Sequence, residues 1–176
     1  MAGLYKDSTL VDYMGLVYND LEHGGQEGWY YVKNGYVDFS YTGLVKYDGA
    51  SNGIKAGVSG WYFVKNGNVK FSYTGLVKYT ADEELFGGVS GWYYVKNGNV
   101  KFSYTGLVKY TADENVFGGV SGWYYVKNAY VDFSFTGLCS NDYGTWYVKN
   151  AYVRFDYTGT ITCDGTTYII TNGKLA

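Results

Sequence analysis

The chain has 176 residues, 14 of them basic and 16 acidic, and the resulting net charge of −2 excludes the strongly basic surface that a nucleic-acid binder needs. With 23 Tyr, 26 Gly, no Pro and 17% charged residues, it is too aromatic and too sparsely charged for a disordered chain. One His, two Cys and two Met leave little material for nucleophilic catalysis or a transition-metal centre.

No apolar run reaches membrane-spanning length, and Met1 to Lys6 carries neither the charged start nor the apolar stretch of a signal peptide, so the segment reads as soluble and cut from a longer parent. The first recognisable element fits that reading. Tyr13-Met14-Gly15-Leu16-Val17 matches Tyr41-Thr42-Gly43-Leu44-Val45, so the chain opens on the tail of a repeat.

Full repeats follow, built on the block Gly-Trp-Tyr-Tyr-Val-Lys-Asn-Gly-(Tyr/Asn)-Val-(Asp/Lys)-Phe-Ser-Tyr-Thr-Gly-Leu. Its Lys falls at 33, 65, 96, 127 and 149, at intervals of 32, 31, 31 and 22, and the Thr of Thr-Gly always comes nine residues later, at 42, 74, 105, 136 and 158. The block is rigid in length and only the connector varies. A degraded copy from Tyr168 through Asn172-Gly173 to Leu175 reads as a terminal cap. The single repeat domain 1–176 therefore divides into a partial repeat at 1–28, repeats at 29–60, 61–91, 92–122, 123–144 and 145–165, and a cap at 166–176.

Asn34-Gly35, Asn66-Gly67 and Asn97-Gly98 each separate short runs rich in Tyr, Val and Phe, the pattern of a two-residue type I′ hairpin. Asn128-Ala129 and Asn150-Ala151 replace it in two copies, and because Ala is strained at positive φ those turns are expected to be looser or of another type. With Asn34-Gly35 as the turn, the expected pairs are Lys33 with Tyr36, Val32 with Val37, Tyr31 with Asp38, Tyr30 with Phe39 and Trp29 with Ser40. Alternation then puts Tyr30, Val32, Val37, Phe39 and Tyr41 on one face, the expected core, and Trp29, Tyr31, Lys33, Tyr36, Asp38 and Ser40 on the other. Val37, Val69, Val100, Val131 and Val153, and Phe39, Phe71, Phe102, Phe133 and Phe155, hold their positions in all five blocks.

A two-stranded hairpin is marginal in water, so each block must bury its apolar face on its neighbours. The expected fold is all-β, a solenoid of stacked β-hairpins with about five full repeats and partial ends. In the long connectors, Thr80 to Gly88 and Thr111 to Gly119, Thr-x-x-Glu followed by two apolar residues and Gly suggests a short helical turn. The connector from Leu138 to Thr145 lacks that insertion, which explains the drop in period to 22.

The stretch from Gly28-Trp29-Tyr30-Tyr31 through Thr42-Gly43-Leu44 resembles the repeats of choline-binding and glucan-binding cell-wall modules. The mixture of long and short units is similar to that of clostridial toxin receptor-binding repeats. The resemblance implies secreted β-hairpin solenoids that bind choline or sugars in aromatic hollows between hairpins. Where the choline pattern has a Trp after Thr-Gly, this chain has Leu44, Leu76, Leu107, Leu138 and Thr160. A quaternary ammonium needs several π-faces, so choline is demoted in favour of a carbohydrate, which stacks on a single ring.

The candidate ligand platform is Trp29, Tyr31 and Tyr36, repeated as Trp61 and Phe63, Trp92 and Tyr94, and Trp123, Tyr125 and Tyr130. In the fifth block Trp146 slips into the Tyr30 register and Thr145 takes the Trp register, so that copy should be a poor site. The alternative is that the Trp series only packs repeat on repeat. The turn lysines Lys33, Lys65, Lys96, Lys127 and Lys149 read as solvated. The alternation of Asp38 and Asp132 with Lys70, Lys101 and Arg154, together with the switch from Tyr36 and Tyr130 to Asn68 and Asn99, reads as tuning of neighbour pairing.

Asp82, Glu83, Glu84, Asp113 and Glu114 fit no Ca²⁺ loop and read as capping residues, and His23 reads as solvated. Cys139 and Cys163, two and four residues beyond Gly137 and Gly159, should lie on adjacent turns of the stack, either as a disulfide worth about 3 kcal/mol or as two free thiols. A disulfide would fit an oxidising, extracellular setting. No catalytic residue, metal or cofactor is expected. The reading is a non-catalytic module, secreted or on a bacterial cell surface, that binds a cell-wall polymer or host glycan, inserts in no membrane and binds no nucleic acid, with oligomers forming through repeat faces. The alternative is a structural spacer or adhesin stalk.

Overall fold

The computed structural model describes residues 5–6, 9–10, 12–20, 25–49, 57–82, 86–113 and 116–176. Among these, every regular element is a β-strand. The chain forms two compact units, Met1–Ser90 with Val95–Val100, and Gly91–Tyr94 with Lys101–Ala176. The first unit contains β1 (Tyr5–Lys6), β2 (Thr9–Leu10), β3 (Gly15–Asn19), β4 (Gly28–Lys33), β5 (Tyr36–Val37), β6 (Gly43–Tyr47), β7 (Gly60–Lys65), β8 (Asn68–Val69), β9 (Gly75–Tyr79), the end of β10 (Gly91–Lys96) and β11 (Asn99–Val100). The second contains the start of β10, then β12 (Gly106–Tyr110), β13 (Gly122–Lys127), β14 (Tyr130–Val131), β15 (Gly137–Asn141), β16 (Gly144–Lys149), β17 (Tyr152–Val153), β18 (Gly159–Cys163), β19 (Thr166–Thr171) and β20 (Lys174–Leu175). Within each unit the strands pair antiparallel and the hairpins stack, so the fold is an all-β hairpin solenoid.

The two-residue turns are type I′. Asn34 and Gly35 have φ of 51° and 78°. Asn128-Ala129 and Asn150-Ala151 adopt the same turn, at 51° and 65° and at 52° and 62°, in place of the looser turn expected for Ala. The strain is offset by docking. Ala129 and Ala151 are fully buried, and their N–H groups donate to the carbonyls of Tyr104 and Phe135 (both 2.9 Å) in the preceding block. Their carbonyls accept from the N–H groups of Tyr94 and Tyr125 (both 2.7 Å). In the first unit Gly67 does the same, donating to Tyr41 (3.0 Å) and accepting from Tyr31 (2.8 Å).

A hydroxyl completes each joint. Thr42 Oγ1 accepts the N–H of Asn66, and Thr74, Thr105, Thr136 and Thr158 receive Asn97, Asn128, Asn150 and Asn172, at 3.0–3.1 Å. The fixed nine-residue step from Lys to Thr thus sets the distance from one turn to the acceptor that holds the next. Each turn tip is locked to its neighbour by backbone groups that would otherwise seek water.

The pairing corrects the expected hairpin. Lys33 pairs with Tyr36 and Val32 with Val37, as expected, and Asp38 N–H still donates to the Tyr31 carbonyl (3.0 Å), but there the ladder ends. Asp38 folds the chain back by accepting the Ser40 N–H (2.9 Å), an Asx-turn. Tyr30 and Trp29 therefore pair with Val17 and Tyr18 of the preceding strand instead of with Phe39 and Ser40. Each long strand is mainly the partner of a five-residue strand before it, and the two-residue return strand is a short arm.

The assignment of faces changes with it. Val32 is buried, but Phe39, Phe71, Phe102, Phe133 and Phe155, expected in the core, are 44–57% exposed. Alternation holds only while the chain is a strand, and the strand stops two residues before the Phe. The core holds instead Tyr31, which shares a cluster with Leu16, Val45, Tyr47 and Val64. In the second unit Leu107, Val148 and Val153 form the corresponding cluster, with Trp123, Tyr125 and Phe135 against it. No charged or polar residue is buried among the described residues.

Candidate functional site

The candidate platform residues divide into three groups. Tyr31, Phe63 and Tyr94 are 0%, 1% and 9% exposed and lie in the core, so they offer no open face. Each packs, tilted by 39–46°, against the ring ten residues on, Tyr31 on Tyr41 (4.3 Å), Phe63 on Tyr73 (4.4 Å) and Tyr94 on Tyr104 (4.5 Å); Tyr125, half-buried, stacks on Phe135 at 3.8 Å. The Tyr41, Tyr73 and Tyr104 hydroxyls donate to the carbonyls of Leu44, Leu76 and Leu107 (2.7–3.0 Å), residues that are themselves core. The Leu positions that replace Trp in the choline pattern thus pack the interior in these three copies. Burial pushes the Tyr31 hydroxyl above the ordinary phenol value and the Tyr41 hydroxyl well above it.

Residues after the turn join repeats. Tyr130 pairs with Tyr93 of the preceding hairpin, its ring edge-on at 5.2 Å, and Tyr152 meets Tyr124 in the same way. The same register pairs Tyr30 with Asn68, Tyr62 with Asn99 and Trp146 with Lys174, whose ammonium lies 5.5 Å from the indole. These contacts explain the Gly before Trp. A Cβ on Gly91 would fall 2.3 Å from the Tyr130 ring, and one on Gly122 2.4 Å from Tyr152. Tyr36 is among the exposed aromatics.

The tryptophans are half-buried, and what covers them depends on the connector. Trp29 lies between Tyr18 (5.5 Å) and Tyr47 (5.2 Å). Trp61 meets Tyr79 (5.1 Å) and the connector residue Phe86 (6.4 Å), which also reaches Tyr31 (6.2 Å). Trp92 meets Tyr110 (5.0 Å) and Phe117 (6.2 Å) in the same arrangement. Each long connector is pinned in place. Tyr79 and Tyr110 donate to the Gly87 and Gly118 carbonyls, and Ala81 and Ala112 N–H groups donate to Ser90 and Ser121 (2.8 and 2.9 Å). The Asp82 carbonyl accepts from Phe86 and Gly87, and the Asp113 carbonyl from Val116, Phe117 and Gly118; the middle of the expected helical turn, at 83–85 and 114–115, lies outside the described residues.

Trp123 is different. In the short repeat Asn141 occupies the register of Tyr110, and the tight turn Asp142-Tyr143 replaces the connector. Tyr143, 69% exposed, is the ring that meets Trp123, edge-on at 6.1 Å. Asn141 Oδ1 fixes that turn by accepting the Tyr143 N–H (2.9 Å) and the Trp146 indole N–H (3.0 Å). The result is an indole and an outward phenol at an angle of 71°, beside polar groups. Trp146, slipped in register, packs on Phe155 at 5.1 Å. Tyr143 carries no repeat signal in the sequence, because it lies outside the repeated block, just before Gly144.

Cys139 and Cys163 are free thiols, the second of the two expected arrangements. They sit on different rungs, Cys139 opposite Trp146 and Cys163 opposite Thr166. Burial pushes the Cys139 thiol up, with its bond to the Ser140 carbonyl acting in the opposite sense. No group of three or more potential metal ligands occurs among the described residues. His23, Glu83, Glu84 and Glu114 lie outside them. Among the described residues, no helix is long and apolar enough to cross a membrane.

The choline-binding repeat model matches residues 26–38, 40–50, 51–69, 88–100, 119–132, 134–150 and 156–176, together more than half of the chain. No curated protein and no solved structure matches it.

Proposed function

The chain belongs to the choline-binding repeat family, whose repeats form binding modules typical of cell-surface and secreted bacterial proteins, and from that premise we propose that it is a secreted, non-catalytic module for a cell-wall or host carbohydrate. The observation that carries the reading is the Trp123–Tyr143 pair, an indole and an exposed phenol beside Asn141. A pyranose presents a C–H face to such rings and hydroxyls to the polar groups at their edge. Choline is the weaker ligand, because the position after Thr136-Gly137 is Leu138 and two rings make an incomplete cage.

A second reading, a structural spacer, is favoured by Trp61 and Trp92, whose rings are packed against Tyr79 with Phe86 and Tyr110 with Phe117. Tryptophan fluorescence titrated with cellohexaose, chitohexaose, isomaltohexaose and phosphocholine separates the two. A shift with a saccharide that disappears in Tyr143→Ala supports binding. No shift with any of the four leaves the spacer.

A further inference from the structure

We propose that the exposed Phe after each hairpin, at 39, 71, 102, 133 and 155, is a second set of carbohydrate platforms, each taking one or two pyranose rings of a polysaccharide. The proposal rests on the carbohydrate reading above but uses different residues. An apolar ring left in water at one place could be incidental, but here the same ring is 57%, 49%, 50%, 51% and 44% exposed in five repeats, while the residue before it changes among Asp, Lys and Arg. Half-exposure forfeits roughly half of the 1.5–3 kcal/mol that full burial of such a side chain brings. The chain carries that loss five times.

The rings are also oriented. Phe39 is held edge-on by Tyr30 (6.3 Å), Phe71 by Tyr62 (6.1 Å), Phe102 by Tyr93 (6.5 Å) and Phe155 by Trp146 (5.1 Å). The Asx-turn at Asp38, repeated at Asp132 where the Ser134 N–H donates to the carboxylate (3.0 Å), sets the backbone from which Phe39 and Phe133 project. A pre-set aromatic face loses little freedom on binding.

The surroundings select the occupant. Each ring exposes about 100 Å², taking half of a phenylalanine-sized surface, so all five together fall short of the roughly 800 Å² per partner of a stable protein interface. The preceding residue is Asp38, Lys70, Lys101, Asp132 or Arg154, so no single sign of charge runs through the set and an ionic polymer finds no match. The following residue is an exposed Ser, or Asp156 in the last copy. A neutral ligand with an apolar face and hydroxyl rim fits these sites, and a repeating one fits several at once.

The test is retention of the whole chain on cellulose, chitin and cross-linked dextran, compared with a variant carrying Phe→Leu at all five positions and with Tyr143→Ala. Leu keeps the apolar volume and removes the π-face, and a thermal melt confirms that the variant is folded. We expect the wild type to be retained by at least one matrix and the five-Leu variant to bind it at least about tenfold more weakly, as loss of linked sites dictates. Equal retention of wild type and five-Leu variant overturns the platforms; if Tyr143→Ala abolishes binding in that case, the carbohydrate reading stands without them. Retention by none of the three matrices overturns both.

Discussion

The Trp61 and Trp123 repeats begin with nearly the same block and end with different surfaces. At Trp61 a long connector brings Phe86 edge-on to the indole beside Tyr79; at Trp123 the connector is a two-residue turn, and the indole, packed on the Leu107, Val148 and Val153 cluster, meets the outward Tyr143. The hairpin therefore determines where a tryptophan stands, and the connector determines which rings pack against it. In the proposed reading, an insertion turns a candidate ligand face into an internal contact.

The largest test of this difference is alkaline titration. Burial holds Tyr31, Tyr41, Tyr79 and Tyr110 above the ordinary phenol value of 10, and Tyr79 and Tyr110 are the residues that close the long-connector hollows. Because the folded state binds these protons more tightly than the unfolded chain, their contribution is fully present below pH 10 and is lost as pH rises through the folded values. Phenolate absorbance should show a class of tyrosines ionising only above 10 and together with loss of the β-sheet signal. Ionisation of all of them near 10 with the fold intact would contradict the packing.

Phe86→Ala should come next, at about 2–3 kcal/mol of destabilisation, less than a fully buried Phe because the ring is half-buried. It should also leave Trp61 more open to acrylamide quenching, making that repeat behave like the Trp123 repeat. Tyr143→Ala, by contrast, should change stability by about 0.5 kcal/mol or less, as a largely exposed side chain does.

Smaller gains sharpen the same picture. Tyr31 has a fully buried hydroxyl without a hydrogen-bond partner, and the next repeat carries Phe63 at that place, so Tyr31→Phe should stabilise by about 1 kcal/mol, seen as a rise in the thermal midpoint. Ala129→Gly and Ala151→Gly should each add about 1 kcal/mol by relieving positive φ, measured by denaturant unfolding. A loss on either Gly substitution would mean that the buried methyl contributes more than the strain costs.

The repeat, the turn and the need for stacking were legible in the sequence because Asn-Gly and a fixed apolar spacing are local signals. The faces were only partly legible. The period of two does not run through Phe39, because the chain turns at Asp38 and in the same way at Lys70, Lys101, Asp132 and Arg154, whose carbonyls each accept the N–H three residues on, a backbone bond that no shared side chain at that position announces. By alternation Tyr31 shares a face with Trp29 and Lys33, which points to a surface platform. Only the next hairpin, docking its turn there, makes it core. The partner of each Thr, some two dozen residues away in the long repeats, could be counted in the sequence but not interpreted.

The central claim, that connector length decides which tryptophan a ligand can reach, is tested most directly by the five indole N–H signals of the ¹⁵N-labelled chain during titration with whichever of the three hexasaccharides binds. The account predicts that the Trp123 signal moves and those of Trp61 and Trp92 stay in place. Movement of Trp61 or Trp92 with Trp123 unchanged would contradict it.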